Sequence, residues 1–368
     1  MRATRAEIDL AAIEHNVKAL RDHIGDAVIC AVVKADGYGH GALQVAGRAT
    51  RAGATWLAVA LVEEGIELRE AGFGEPILLL SEPQPDEMHS VVEHSLCPTL
   101  YSETGLAAAA AAASSNAADL SVHLKVDTGM GRVGASPSDA SMLAQAISDS
   151  PRLVLEGLYT HCAVADEPGN DYTTRQLERF DKVIAELAAI DIRPAIVHAA
   201  NSALAITRAD GRYDMVRLGI AMYGIAPAPA LEGIVDLVPA MSIHSAVSMS
   251  KRVEAGRRLS YGLRYETAGA ETIATVPIGY GDGYRRRLSE VGGEVLIDGI
   301  RRRLAGTVTM DQILVSCGDD DIPVGSPVVV VGSQGAHTIS MTELAEGLGT
   351  IAYELCCAVG PRVRREYR

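Results

Sequence analysis

The chain is expected to fold as an α/β protein, an N-terminal (β/α)8 barrel followed by a mostly β C-terminal domain. Two features of the sequence lead there. Eight short apolar runs alternate with helix-period segments in the first part of the chain, and past about residue 240 glycine- and proline-punctuated strand-like runs replace that rhythm. The apolar runs are residues 28–33, 56–61, 76–80, 97–101, 121–126, 153–160, 195–199 and 215–220. Helical stretches between them include 41–50, 62–71, 103–113, 140–149 and 174–190. Such alternation calls for parallel strands joined by crossover helices, and eight units over roughly 200 residues suit a closed barrel. A doubly wound open sheet is the competing architecture. The later strand-like runs are 241–251, 271–277, 294–297 and 328–331. The expected division is therefore a barrel over 10–235 and a β-rich domain made of 1–9 plus 236–368.

Composition narrows the function classes. At 368 residues the chain exceeds the usual size of a single core, which fits a barrel plus a second domain. Its 33 Lys and Arg against 47 Asp and Glu give a net charge of -14, which argues against nucleic-acid or anionic-membrane surfaces and leaves small molecules or other protein chains as partners. No apolar run is long enough to span a bilayer, and MRATRA leads straight into the charged EIDL without an apolar leader. A soluble cytoplasmic protein is expected. The six cysteines carry no CxxC spacing, so neither a metal centre nor a disulfide framework is expected.

Lys34 ends the first apolar run and opens the string KADGYGHG. A lysine at the C-terminal mouth of a buried strand is desolvated, which exposes a nucleophilic amine suited to a Schiff base. The string LKVDTGMGRVG places Gly129, Gly131 and Gly134 in a GxGxxG pattern just after a strand, the one feature that favours an NAD-dependent oxidoreductase. In a dinucleotide turn, however, the glycines run directly into a helix, and here Ala135-Ser-Pro-Ser138 delays the helix start. The better reading gathers Lys125, Asp127 and Arg132 at a barrel mouth. His161 and His198 lie at successive strand ends, on the face where barrel active sites collect, and Ser202 at a helix start is a natural phosphate ligand. Arg217 does not give up its proton at neutral pH, so if it faces a ring nitrogen it must donate to it. Tyr261, whose phenol normally titrates near 10, needs nearby cationic character or a hydrogen bond to act as a base.

AVVKADGYGHG closely resembles the pyridoxal-phosphate lysine motif of the alanine racemases, and the other strings are similar to racemase segments in the same order, from about Glu7 to Tyr367. Gly37 and Gly281 stand where many relatives have alanine, and Thr309 where cysteine is frequent. The resemblance implies a homodimer with shared active sites that interconverts L- and D-alanine through a pyridoxal-phosphate aldimine, with Lys34 and Tyr261 as two opposed bases. It implies that the cofactor is bound by Lys34, Tyr38, Arg132, His161, Asn201, Ser202, Arg217, Gly219, Ile220 and Tyr353. It assigns substrate contacts to Arg132, Met310 and Tyr284, carbamylation to Lys125, and a role in D-alanine supply for peptidoglycan. The alternatives are a broader-specificity racemase acting on serine or basic amino acids, and a related pyridoxal-phosphate decarboxylase. A non-catalytic pyridoxal-phosphate carrier would need no opposing base.

Overall fold

The computed structural model describes residues 2–368. They form two compact units, one comprising residues 11–37 and 42–238, the other the stretch up to Leu10, residues 38–41 and residues 239–368.

The first unit is a barrel of parallel strands. A four-residue strand β1 (Arg5–Ile8) precedes it in the chain and belongs to the other unit. The barrel strands are β2 (Val28–Val32), β3 (Trp56–Val59), β4 (Ile77–Leu79), β5 (Thr99–Leu100), β6 (Leu120–Lys125), β7 (Leu153–Tyr159), β8 (Ile196–His198) and β9 (Met215–Leu218). One group pairs in the order β4-β3-β2-β9 and another in the order β5-β6-β7-β8. A parallel bridge from Leu78 to Cys97 joins the groups on one side. On the other, Asp214 N–H donates to Val197 O at 2.9 Å and Arg217 N–H to Ala200 O at 2.9 Å. The ring is thereby closed, and the strands, covered on both faces, read as nearly unbroken Val, Ile, Leu and Ala runs. All eight expected strands form.

The intervening helices follow from propensity and capping. The alanine-rich helix Glu103–Ser115 starts where Ser102 Oγ accepts the Gly105 N–H at 2.9 Å. Helix Ala140–Asp149 buries Leu143, Ala144 and Ile147. The β6–β7 ladder carries one irregularity. Leu155 lies opposite Val122 and Gly157 opposite His123, which leaves Glu156 as the extra residue of a bulge.

In the second unit a seven-stranded sheet is built around β1, which pairs antiparallel with Met241–Ala246 and parallel with Arg364–Tyr367. The single run expected over 241–251 is two strands. Met241–Ala246 also pairs with Pro327–Gln334, whereas Met249–Val253 pairs with Glu271–Val276 in a separate three-stranded sheet. Between them Val247 N–H donates to Ser326 O and Ser248 N–H to Thr275 O, so the chain changes partners within two residues and no glycine or proline marks the step. Two helices, Met341–Leu348 and Ala352–Ala358, were not expected from the sequence pattern. Among the described residues no helix is long and apolar enough to cross a membrane.

Gly283 sits at φ +105, where an added Cβ would lie 2.2 Å from Ala358 O; Gly292 has φ +75 with nothing within 4 Å. Gly292→Ala is expected to cost about 1–2 kcal/mol from backbone strain alone. Gly283→Ala should cost clearly more, because strain and overlap add. Urea midpoints of the two variants check the order.

Candidate functional site

Lys34 lies two residues beyond β2, at the C-terminal mouth of the barrel, and the chain leaves it in a left-handed turn. Ala35 (φ 52, ψ 51), Asp36 (φ 52, ψ 49) and Gly37 (φ 60, ψ 45) are all left-handed, and Tyr38 follows at φ 53. Each non-glycine residue held this way costs roughly 1–2 kcal/mol, so the turn persists only because its polar groups are held. Gly37 N–H donates to Val33 O at 2.8 Å, Glu64 Oε1 accepts the Ala35 N–H at 2.6 Å, and Asp36 Oδ1 accepts the Ala42 N–H at 2.9 Å. The sequence pattern suggested a turn here but not its hand.

Arg217, on the strand next to β2, is 3% exposed, and Cys30 is its partner in the ladder. Asp214 is not its counter-ion, since that carboxylate accepts the Val197 N–H at 2.7 Å. The guanidinium instead donates to His198 Nδ1 at 2.7 Å, to the carbonyls of Thr160 and Ala199 at 2.9 Å each, and to His161 Nδ1 at 3.2 Å. Burial first, and then the Arg217 charge, hold His161 and His198 well below the ordinary histidine range. Both are therefore neutral and able to accept.

Tyr159 forms a shelf under the cations. Its ring stacks on His198 at 4.5 Å and 10°, with Arg217 Cζ 5.1 Å and Lys125 Nζ 5.2 Å from its centroid. Lys125 donates to Leu80 O at 3.4 Å. Burial, reinforced by Arg217, Arg132 and Lys34, pulls its pKa down to about 7. Arg132 is exposed in the loop after β6. Asp127 does not pair with it. Its carboxylate accepts the N–H groups of Gly129, Met130 and Gly131 at 2.8–3.1 Å and so shapes the loop. Gly129 and Gly131 thus serve a carboxylate-centred loop, and the next helix begins only at Ala140.

A third group surrounds Ser202. Asn201 caps the helix Ser202–Thr207 by accepting the Leu204 N–H at 3.0 Å. Ser202 Oγ accepts the Gly219 N–H at 2.9 Å and the Ala221 N–H at 3.5 Å, which leaves its own O–H to donate to an anion. Ile220 is buried in the same turn.

In the β-rich unit the rings of Tyr38 and Tyr353 approach to 6.2 Å. Tyr261 is 72% exposed on a turn whose carbonyl accepts the Thr307 hydroxyl at 2.7 Å. Met310, just along the same segment, is 51% exposed. Tyr284 is not placed as expected. It is buried, and its hydroxyl has no hydrogen-bond partner among the described residues, beside a cavity of about 30 Å³ lined by Ile278, Leu288, Met341 and Leu355. The tyrosine that this turn presents is Tyr280, 44% exposed, whose N–H donates to Thr309 O next to Met310. The sequence pattern missed Tyr280 because both tyrosines of GYGDGY follow a glycine within one short turn motif. Gly283 at φ +105 turns the chain so that Tyr284 enters the core. The pattern also missed His123 and the shelf role of Tyr159; their signal was alternation with Lys125 along β6 and the strand-end position before His161.

The alanine racemase N-terminal domain family matches residues 8–227, and the alanine racemase C-terminal domain family matches residues 240–367. An alanine racemase of Symbiobacterium thermophilum is 46% identical over 368 residues, covering 100% of this chain and 97% of its own. The crystal structure of the alanine racemase of Streptomyces lavendulae superposes with a TM-score of 0.95 at 35% identity, covering 100% and 97% of the two chains. A histidine racemase of Leuconostoc mesenteroides superposes with a TM-score of 0.91 at 29% identity, covering 100% and 98%. With both domain families matched in order and relatives aligned end to end, the chain belongs to the alanine racemase family.

Proposed function

We propose that the protein interconverts L- and D-alanine with bound pyridoxal 5'-phosphate, in a homodimer whose active sites are each built from two chains. The observation that carries this is Arg217, a buried guanidinium held by neutral acceptors on the strand beside the one that delivers Lys34. The residues present fit the cofactor. Lys34 offers the amine, Arg217 a donor for the ring nitrogen, and His161 and Arg132 further polar contacts. The Ser202 hydroxyl and the backbone of Asn201 and Ile220 offer donors for a phosphate, with the Gly219 N–H holding Ser202 Oγ in place, and the family resemblance adds Tyr38 and Tyr353.

When bound, pyridoxal phosphate supplies the conjugated system that acidifies the α-hydrogen of an attached amino acid. Lys34 Nζ takes or returns that proton on one face, with the D enantiomer as its substrate. Tyr261 Oη of a second chain does the same on the other face, with the L enantiomer. One base cannot reach both faces of a planar centre, which is why two are needed. With the cofactor bound, Arg217 would donate a hydrogen bond to the ring nitrogen without surrendering its proton, and would so limit charge delocalisation into the ring. The exposure of Tyr261, Tyr280, Met310 and Leu263 supports the shared site, since an exposed apolar patch of this kind marks a protein interface. Arg132, with Met310 of the second chain, receives the substrate carboxylate, and Tyr280 takes the entrance role expected of Tyr284. Lys125, with a pKa of about 7, is in large part a neutral amine at neutral pH and able to take up carbon dioxide. The resulting carbamate would turn a cation crowded by Arg217 and Arg132 into an anion that pairs with Arg132. A cytoplasmic supply of D-alanine for peptidoglycan is the accompanying role.

Loss of optical rotation from L-alanine is expected for the wild type and absent for Lys34→Ala; faster turnover of histidine, serine or lysine would overturn the assignment of alanine. Neither Lys34→Ala nor Tyr261→Phe should be active alone, whereas mixed and re-formed dimers should recover about a quarter of wild-type activity at most, and no recovery would refute shared sites. Tyr280→Ala should change kcat/KM at least tenfold, while Tyr284→Phe leaves steady-state kinetics within about twofold; the reverse order would restore Tyr284 to the entrance. In carbonate-free buffer and without cofactor, the folded chain releases the Lys125 proton near pH 7 and the unfolded chain near 10.4. Stability from this group therefore rises with pH between those values. The gain in melting temperature from Lys125→Met should be largest below pH 7 and shrink towards pH 10, as read by thermal melts of both proteins.

A further inference from the structure

The guanidinium of Arg217 fixes protons well beyond its own contacts. It carries only donors, so His198 Nδ1, at 2.7 Å, must accept. A neutral His198 then carries its proton on Nε2, which lies 2.9 Å from His123 Nδ1. His123 accepts there and, being neutral, holds its own proton on Nε2. Its neutrality is secure, since burial, and after it Arg217, pulls its pKa down to about 3. The far end of this chain of donors is therefore a buried N–H, and His123 Nε2 has no hydrogen-bond partner among the described residues.

Two acceptors stand beside it. A His123 ring nitrogen, Cys97 Sγ and a Glu156 carboxylate oxygen lie within 4.8 Å of one another, and Nδ1 is already engaged with His198. The arrangement is built into the strands. The bulge gives Glu156 no partner in the ladder, and Gly157 leaves room for the imidazole, since a Cβ there would lie 2.3 Å from the ring. Cys, His and Glu are also a zinc-type donor set. A metal, however, needs the Nε2 lone pair, and the donor chain from Arg217 has placed a proton on it. Burial and the adjacent Glu156 push the Cys97 thiol well above its ordinary range, so it is a neutral, weak acceptor.

We propose that Glu156 is a positioning residue for Arg217: its carboxylate takes the Nε2–H of His123 through one bridging water, and ends a chain that runs from Arg217 through His198 and His123. A separation of up to 4.8 Å suits a single water. The chain gives a buried guanidinium, without a carboxylate partner among the described residues, an anionic terminus, and it locks both imidazole tautomers. Its link to catalysis rests on the proposed role of Arg217 at the cofactor ring; its protonation pattern does not.

Long-range proton–nitrogen spectra of the full-length protein labelled with ¹⁵N-histidine test it, with His123→Gln and His198→Gln for assignment. Both imidazoles should be Nε2–H tautomers, with a strongly downfield His123 proton. Glu156→Gln, whose amide oxygen still accepts, should keep both tautomers. Glu156→Leu should move the His123 proton upfield and lower kcat by about tenfold or more, with Glu156→Gln restoring most of it. A His123 Nδ1–H tautomer in the wild type overturns the proposal, as does a His123 proton unmoved by Glu156→Leu. So does stoichiometric Co²⁺ binding by the wild type that Cys97→Ala abolishes, since a metal would then occupy Nε2. Should Glu156→Leu fail to fold, the wild-type and Glu156→Gln tautomers decide. Normal tautomers without any racemisation would count against the functional reading and leave the chain of protons standing.

Discussion

A single buried positive charge organises the barrel mouth. Arg217 is almost wholly removed from water and has no carboxylate to pair with among the described residues, so everything around it must accept hydrogen bonds without adding charge. Two backbone carbonyls and two imidazoles meet that condition. Burial, and after it the same field, lowers the proton affinity of His161, His198, His123 and Lys125 together. The histidines are thereby acceptors and relays instead of general acids, and the amine of Lys125 becomes reactive. The aromatic face of Tyr159 relieves part of the strain, with both cations about 5 Å from its centroid.

The other demand on the fold is delivery of Lys34. Three consecutive left-handed residues reverse the chain just past β2, a conformation that only a well-supported segment can hold. Asp36 and Glu64 supply that support by taking backbone N–H groups that the turn leaves without ladder partners. The four residues that follow, 38–41, pack with the β-rich unit, where Arg365 Nε donates to Gly39 O at 3.1 Å and a Cβ at position 39 would lie 2.4 Å from Cys356 O. One short motif therefore contributes an amine to one unit and a tyrosine to the other.

Much of this was legible in the sequence. The strand periodicity located every barrel strand within two or three residues, because a strand covered on both faces must be apolar throughout. Lys34, Lys125, His161, His198 and Arg217 all sit at or just past strand ends, where periodicity alone placed them. The expectation for Tyr284 failed for a local reason. Tyr280 and Tyr284 each follow a glycine in the same short motif, and the left-handed Gly283 turns the chain so that Tyr284 enters the core. The run 241–251 looked continuous because partner choice, which divides it between two sheets, leaves no mark in composition.

What the sequence by itself determined is the set of elements and their order, since burial on one or both faces writes a period into the chain. It also determined which chemical groups arrive at the barrel mouth. Tertiary structure alone decided how those groups share protons and charge. Hydrogen-bond partners and desolvation are set by residues far apart in the chain, such as His123 and His198 or Arg217 and Thr160. No local pattern encodes that Asp127 serves its own loop, that Asp214 ignores Arg217, or that a bulge sets Glu156 beside a buried imidazole.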